Sequence, residues 1–311
     1  AWLGLLCGWA SFVPLLSWSG VYVGRLPWFA LATLEALYVA VMAAMLPAAW
    51  RVGRGRWAPA GFVVTVSGLW VLQEALRSRT PFGGFPWARL AFSQADSPLL
   101  GLAPLGGAPL LTAGVAAVGG CLALAAAAVP RPRGVVGGLG AAVALALAPL
   151  LVPMPVTAGA PGTPGGTLEV AAVQGNVPRA GLDFNAERRA VLDNHARATT
   201  ELAQQVRAGR APKPALVVWP ENSSDIDPLR NADASAAIQA AVDTIEAPVL
   251  VGAVLEEPVG HLSNATLVWV PTGSPEPGAG ERYVKRHPAP FGEYIPYRSF
   301  FRRFSDKVDL V

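Results

Sequence analysis

Five long apolar runs occupy the first half of the chain and leave little freedom about its surroundings. They are approximately Trp2–Trp18, Trp28–Pro47, Ala58–Leu76, Gly107–Val129 and Val135–Val152. Each is long enough, or nearly so, to cross roughly 30 Å of hydrocarbon as a helix. Five buried helices of a soluble core would carry polar faces at helical spacing. None is apparent in Ala113–Ala128 or Gly138–Leu151. The expectation is a multi-pass α-helical membrane bundle. Glu35 and Glu74 interrupt the runs, and a carboxylate at membrane depth is costly unless it faces the bundle interior or an interface. Glu35 reads as a buried, hydrogen-bonded structural group and Glu74 as interfacial.

The remaining chain is of another kind. Hydrophobic residues make up 52% of the 311 and charged ones only 14%, which excludes an ordinary soluble protein. The charges are unevenly spread. Up to about Pro153 nearly all are arginines in short connectors, whereas from Leu168 onward Asp, Glu, Arg and Lys mix as in a water-soluble domain. The expected organisation is a transmembrane domain over 1–153, a Gly/Pro linker over 154–167 and a polar domain over 168–311. The chain opens within an apolar run without an initiator Met and stops within the polar domain. A piece of a longer protein is therefore expected, with further helices before it and a truncated C-terminal end. Net charge is +3, with no basic stripe for nucleic acid and no phosphate-cradling glycine loop.

In the polar part, Leu168–Gln174, Ala215–Glu221, Val249–Leu255 and Ala265–Val270 read as strands. Ala186–Arg207 and Ala232–Ile245 read as helices. Alternating strands and helices predict an α/β layered domain. Two stretches carry chemistry. Val217-Val218-Trp219-Pro220-Glu221 ends a buried strand in a carboxylate, after a proline that stops pairing; Ser223, Ser224 and Asp225 alternatively mark a helix N-cap. Tyr283-Val284-Lys285 reads as the end of a strand, and Arg286-His287-Pro288-Ala289-Pro290-Phe291-Gly292-Glu293-Tyr294 as a rigid loop after it. There Phe291 and Tyr294 are placed to shield a lysine and a carboxylate from water, and desolvation would make Glu221 a better base. A solvated Lys/Glu pair on a surface turn is the plainer alternative. His195, His261 and His287 are scattered with no Cys partner in the domain and make no zinc pattern.

Trp-Pro-Glu at a strand end, followed by Tyr-x-Lys-x-His-x-x-Pro-Phe-Gly-Glu-Tyr, resembles the nitrilase superfamily, and within it the membrane-embedded apolipoprotein N-acyltransferase branch. Val173-Gln174-Gly175-Asn176-Val177-Pro178, Ser263-Asn264-Ala265, Phe85-Pro86-Trp87 and Gly101–Gly106 are similar to that family too. The resemblance implies an αββα sandwich outside a bacterial inner membrane and a Glu–Lys–Cys triad, with no cofactor and no metal. A cysteine takes an acyl chain from a membrane phospholipid and passes it to the α-amine of a diacylglyceryl apolipoprotein. Glu221 matches the family base, Lys285 the oxyanion-stabilising lysine and Glu293 a second acid that orients Lys285. Two departures stand out. Pro288-Ala289 replaces the usual Leu-Val, and the nucleophilic cysteine is absent, since Cys7 and Cys121 lie in apolar runs and the family nucleophile follows the Phe-Gly-Glu motif. A membrane-anchored amidase with the same triad and a non-catalytic membrane scaffold are the alternatives.

Arginine density sets an expected orientation. Arg51, Arg54 and Arg56 crowd the second connector, and Arg131 and Arg133 the fourth, which places both in the cytoplasm. Parity then places everything after Pro153 outside, along with the aromatic loop Thr80–Trp87. A cysteine introduced at Ser235 is expected to react with an impermeant maleimide added to intact cells. Reaction only after permeabilisation would reverse the orientation.

Overall fold

In hydrocarbon a helix satisfies its own backbone hydrogen bonds, and the apolar runs do form helices. The computed structural model describes residues 1–52, 58–129, 131–153, 167–176 and 188–303. Arg54, Arg56, Val177, Pro178, Phe304 and the expected linker, save Thr167, lie outside the described residues. The chain divides into two compact units, Ala1–Thr157 and Ala158–Val311.

The first unit contains α1 (Trp2–Leu15), α2 (Ser19–Val23), α3 (Arg25–Val52), α4 (Ala58–Arg77), α5 (Ala103–Ala127) and α6 (Pro132–Leu147). Four segments are long and apolar enough to cross a membrane: Arg25–Ala48, Ala58–Arg77, Pro98–Ala127 and Pro132–Leu151. These four apolar helices fit the unit for membrane association. The first expected run holds the shorter apolar helix α1, of 14 residues. Its end is set by tight turns, with Leu16 N–H donating to Phe12 O and Ser17 N–H to Pro14 O. α1 lies close on α3 through Gly4-x-x-x-Gly8, a spacing of small residues that lets helix backbones approach. A Cβ at Gly8 would stand 2.6 Å from Ala36 Cα. α5 is kinked at Gly106 and Gly107, where Gly107 has φ +60°.

Both glutamates of this unit are buried. Glu35 Oε2 accepts from Arg77 Nη1 at 2.6 Å, and Arg77 also donates to Trp87 O at 2.5 Å and Ala88 O at 3.0 Å. The guanidinium thus ties α3, α4 and the Thr80–Trp87 loop together, with its carbon 5.2 Å from the Phe12 ring centroid. Glu74 is not interfacial as expected. It is buried and accepts from Thr112 Oγ1 of α5 at 2.9 Å, Leu90 N–H at 2.9 Å and Trp70 Nε1 at 3.3 Å. Its position near the end of α4 suggested an interface; the packing of α5 and the chain at Leu90 against it encloses it instead. In the loop, Gly84 sits at φ +77°, and a Cβ there would meet Arg79 N at 2.2 Å. Only glycine fits that turn.

The second unit is built on a five-stranded mixed sheet in the order β1 (Val170–Ala172), β2 (Leu216–Val218), β3 (Val249–Leu255), β4 (Ser263–Val270), β5 (Gly278–Val284). β1, β2 and β3 are parallel, whereas β4 and β5 run antiparallel to their neighbours. α7 (Arg188–Arg207) and α8 (Ala232–Ile245) supply one apolar layer. Leu192, Ile238 and Val242 join Val217, Val249, Val251, Leu255, Leu267 and Trp269 in a single core. Alternation in β3 and β4 sends every second side chain into that core, as a period of two requires. The strand expected to end at Tyr283-Val284-Lys285 is β5, and it begins earlier than expected, at Gly278-Ala279-Gly280, which read as a turn. It forms by pairing Ala265 with Val284 and Thr266 with Tyr283.

Removing one partner of a buried ion pair leaves the other charge uncompensated and costs about 3–5 kcal/mol. Glu35→Leu is therefore expected to lower the midpoint of thermal unfolding in detergent sharply. Glu35→Leu combined with Arg77→Leu is expected to recover part of that loss. Fully additive losses would show that the two side chains act independently.

Candidate active site

Strand ends bring the expected residues together. β2 is buried up to Trp219, whose indole N–H donates to Thr199 Oγ1 of α7 at 2.9 Å. Pro220 then turns the chain, and Glu221 emerges over β3. This needs room that only glycine leaves: a Cβ at Gly252 would lie 2.3 Å from Pro220 O and 2.8 Å from Glu221 Cα. Ser223 and Ser224 do not cap a helix. Ser223 Oγ donates to Gly252 O at 2.8 Å, Ser224 N–H to the same oxygen at 2.9 Å, and Val254 N–H to Ser224 O at 3.0 Å. The segment after Glu221 is thereby pinned along β3.

Lys285 follows β5 directly, its N–H donating to Asn264 O of β4 at 2.8 Å. The loop after it folds back on itself. Phe291 N–H donates to Tyr294 O at 2.7 Å and Glu293 N–H to Ala289 O at 2.8 Å, with Phe291 at φ +62°. That turn returns Glu293 to Lys285. Lys285 Nζ stands 2.8 Å from Glu221 Oε1 and 2.8 Å from Glu293 Oε2. All three candidate residues meet at one point.

The two carboxylates are not equivalent. Both oxygens of Glu293 are engaged: Oε2 by Lys285 and by Ala289 N–H at 2.5 Å, Oε1 by Asn264 Nδ2 at 2.8 Å. Glu221 is held through Oε1 alone, which accepts from Lys285 and from Asn264 Nδ2. Among the described residues its Oε2 accepts no hydrogen bond. One acid is saturated and fixed; the other is anchored by one oxygen and presents the second. Lys285 carries three donors, of which two are used here. The group can thus accept a proton at Glu221 and offer one ammonium N–H to a developing anion.

Asn264 is the residue whose role sequence reasoning missed. It appeared only within a motif, Ser263-Asn264-Ala265, yet its amide bridges both carboxylates. Alternation in β4 was the available signal, since Ala265, Leu267 and Trp269 point into the core and Asn264 therefore points out of it.

Electrostatics agree with the geometry. Partial burial works against the Lys285 charge, but hydrogen bonds and charge from Glu221 and Glu293 outweigh it and raise its pKa above 10.5. Burial likewise opposes the Glu293 charge. Lys285, the Ala289 N–H and Asn264 overcome that and hold its pKa below 4.5. Water is less excluded than expected. The Glu221 side chain is 55% exposed, and Phe291 and Tyr294 are exposed at 43% and 38%. The expected shielding by those two rings is corrected for this unit, because the tight turn through Phe291 directs the loop at Lys285 without covering Glu221. His195 is buried against Gly175 and Trp219, with its ring near Val191 O, and His287 is exposed.

These shifts carry a sign. A lowered Glu293 pKa contributes stability above 4.5 that is lost as pH falls through the folded value. A raised Lys285 pKa contributes stability below 10.5 that is lost as pH rises through the folded value. Urea unfolding of Glu293→Gln is thus expected to show a shallower acid limb than the parent. Superimposable acid limbs would mean that Glu293 is not held by these partners.

Comparison with known proteins bears on the whole chain. Residues 1–121 match the family model for the apolipoprotein N-acyltransferase N-terminal domain. An apolipoprotein N-acyltransferase of Mycolicibacterium smegmatis is 43% identical over 98% of this chain and 52% of its own length. Those of Ralstonia nicotianae and Azotobacter vinelandii are 32% and 29% identical, over 96% and 99% of this chain and 54% and 58% of theirs. The resemblance seen in the motifs therefore extends along nearly the entire sequence. The chain spans about half the length of these curated relatives.

Proposed function

We propose, from a chain similar to apolipoprotein N-acyltransferases along 98% of its length, that these residues carry the base, lysine and orienting acid of such an enzyme. The observation that supports this best is the unequal use of the two carboxylates around Lys285. In this reading the reaction is acyl transfer in two halves, through a thioester on a cysteine that follows the Phe291-Gly292-Glu293 turn in the longer proteins. Cys7 in α1 and Cys121 in α5 belong to the helical unit and are not that nucleophile.

Glu221 Oε2 takes the thiol proton, and the thiolate attacks an ester carbonyl of a membrane phospholipid. The carbonyl oxygen becomes anionic within reach of the free Lys285 N–H, an electrostatic stabilisation present only in the transition state and intermediate. Collapse breaks the ester C–O bond, and Glu221 returns its proton to the leaving alkoxide. The α-amine of a diacylglyceryl-cysteine then attacks the thioester and loses its proton to Glu221, and the thiolate departs. Glu293 keeps Lys285 charged and aimed throughout, with Asn264 fixing the distance between the acids. In this reading the α/β unit belongs to an αββα sandwich outside the inner membrane, an orientation that the arginine density at Arg51, Arg131 and Arg133 supports.

In the full-length protein, Lys285→Met is expected to slow thioester formation by roughly a hundredfold or more, by analogy with loss of one oxyanion donor. Glu221→Gln is expected to fail in the same step, for want of a base. The measurement is acyl-thioester on the cysteine when phospholipid is supplied without acceptor. Normal accumulation in Lys285→Met, with loss only of transfer to the amine, would show that the lysine's role is different.

A further inference from the structure

One buried titratable side chain of the α/β unit takes no part in the reaction described above. His195 of α7 is 2% exposed, and its Nδ1 stands 2.8 Å from Val191 O. A carbonyl only accepts, so Nδ1 carries the proton and Nε2 is a bare lone pair in the neutral ring. That Nε2 is buried and has no hydrogen-bond partner among the described residues. Buried polar atoms in folded proteins are nearly always paired, so an exception asks for a reason.

The ring sits where two strands end. A Cβ at Gly175, just beyond β1, would lie 2.4 Å from His195 Nδ1, so the chain leaving β1 rests directly on the imidazole. The Trp219 ring, just beyond β2, is 5.6 Å away between centroids. The same turn of α7 also holds Trp219 by hydrogen bonds. Its indole N–H donates to Thr199 Oγ1 at 2.9 Å, and Thr199 Oγ1 donates to His195 O at 2.9 Å. Thr199 and Trp219 are both buried. Only Pro220 separates Trp219 from Glu221, so a shift of this turn reaches the carboxylate within two residues of chain.

These surroundings do not accommodate a second proton. The described contacts of His195 are Val191 and Thr199 of α7, Gly175 beyond β1 and Trp219 beyond β2, and none of them is charged. On the same face of α7, Arg188 lies seven residues earlier, about 10 Å along the helix axis. It acts on Asp225, and neither of those two groups acts on His195. A proton on Nε2 would therefore make a buried cation with no acceptor, which is costly. Burial pushes the imidazole below its usual 6.5 and outweighs the Val191 carbonyl, which favours the charged form. Neutral His195 thus contributes stability that is present above 6.5 and is lost as pH falls through the folded value.

We propose that His195 is a positioning residue for Glu221: its uncharged ring wedges the chain leaving β1 against Trp219, and its protonation displaces the Trp219-Pro220-Glu221 segment so that the contact of Glu221 with Lys285 is lost. Glu221 is the base of an acyl transfer in the reading on which this rests. To that site His195 adds an acid-side control distinct from the titration of Glu221 itself or of the thiol.

The test compares the full-length protein with two variants. His195→Asn keeps an N–H for Val191 O but takes up no proton, and His195→Phe keeps an uncharged ring; either one that folds suffices. Two measurements run between about pH 5 and 8, the range in which histidine titrates. The first is acyl-thioester formation from phospholipid without acceptor. Its rate at the alkaline end divided by that at the acid end is expected to be about fivefold larger in the parent than in the variants, well within the hundredfold that a misplacement of about 1 Å can cost. The second is urea unfolding, in which the parent is expected to lose stability toward the acid end more steeply than the variants. Superimposable pH–rate profiles, or variants slower by one constant factor at every pH, would overturn the proposal and leave His195 a packing residue. Absence of thioester from the parent at every pH would instead sink the acyl-transfer reading. Unfolding needs no turnover, and acid limbs that coincide in parent and variants would overturn the proposal by themselves.

Discussion

One ammonium between two carboxylates draws three segments of the α/β unit to one point. Lys285, Glu221 and Glu293 come from three separate segments: the end of β5, the end of β2 and the return of a proline-rich loop. Each ion pair is partly exposed, a setting in which pairs contribute about 0–1 kcal/mol. The cluster is thus a poor explanation of stability. What holds it in place is the backbone around it: the glycine at 252, the β4–β5 pairing that reaches Lys285, and the turn through Phe291 that carries Glu293 back.

The helical unit uses charge for the opposite purpose. Glu35, Arg77 and Glu74 are buried, and their hydrogen bonds tie helices to the chain between α4 and α5. A guanidinium with five donors in a planar fork satisfies a carboxylate and two backbone carbonyls at once. Here the ions fix a loop; in the α/β unit one oxygen of Glu221 and one N–H of Lys285 make no hydrogen bond among the described residues. The same residue types serve structure or chemistry according to how many of their valences the fold consumes.

Much of this was legible in the sequence because it rests on local rules. Apolar runs gave four helices of spanning length, period-two alternation gave β3 and β4, and proline after a buried strand exposed Glu221. Other features depend on contacts distant in sequence. Glu74 reads as interfacial until α5 is packed against it. Asn264 reads as an ordinary strand residue until β4 is set between the segments carrying Glu221 and Lys285. β5 begins in Gly278-Ala279-Gly280, where composition signals a turn and only pairing with β4 makes a strand. The openness around Glu221 could not be read from the aromatic content of its loop, because the direction of Phe291 follows from a left-handed backbone angle.

The central claim is that this cluster serves transfer of an acyl group to an amine and not its release to water. Full-length protein supplied with a phospholipid labelled in its acyl chain and a diacylglyceryl-cysteine peptide tests this directly. Label is expected in amide linkage on the peptide's N-terminal amine, with lysophospholipid formed in equal amount. Label recovered as free fatty acid while the peptide amine stays unmodified would contradict it and favour an amidase-like hydrolase.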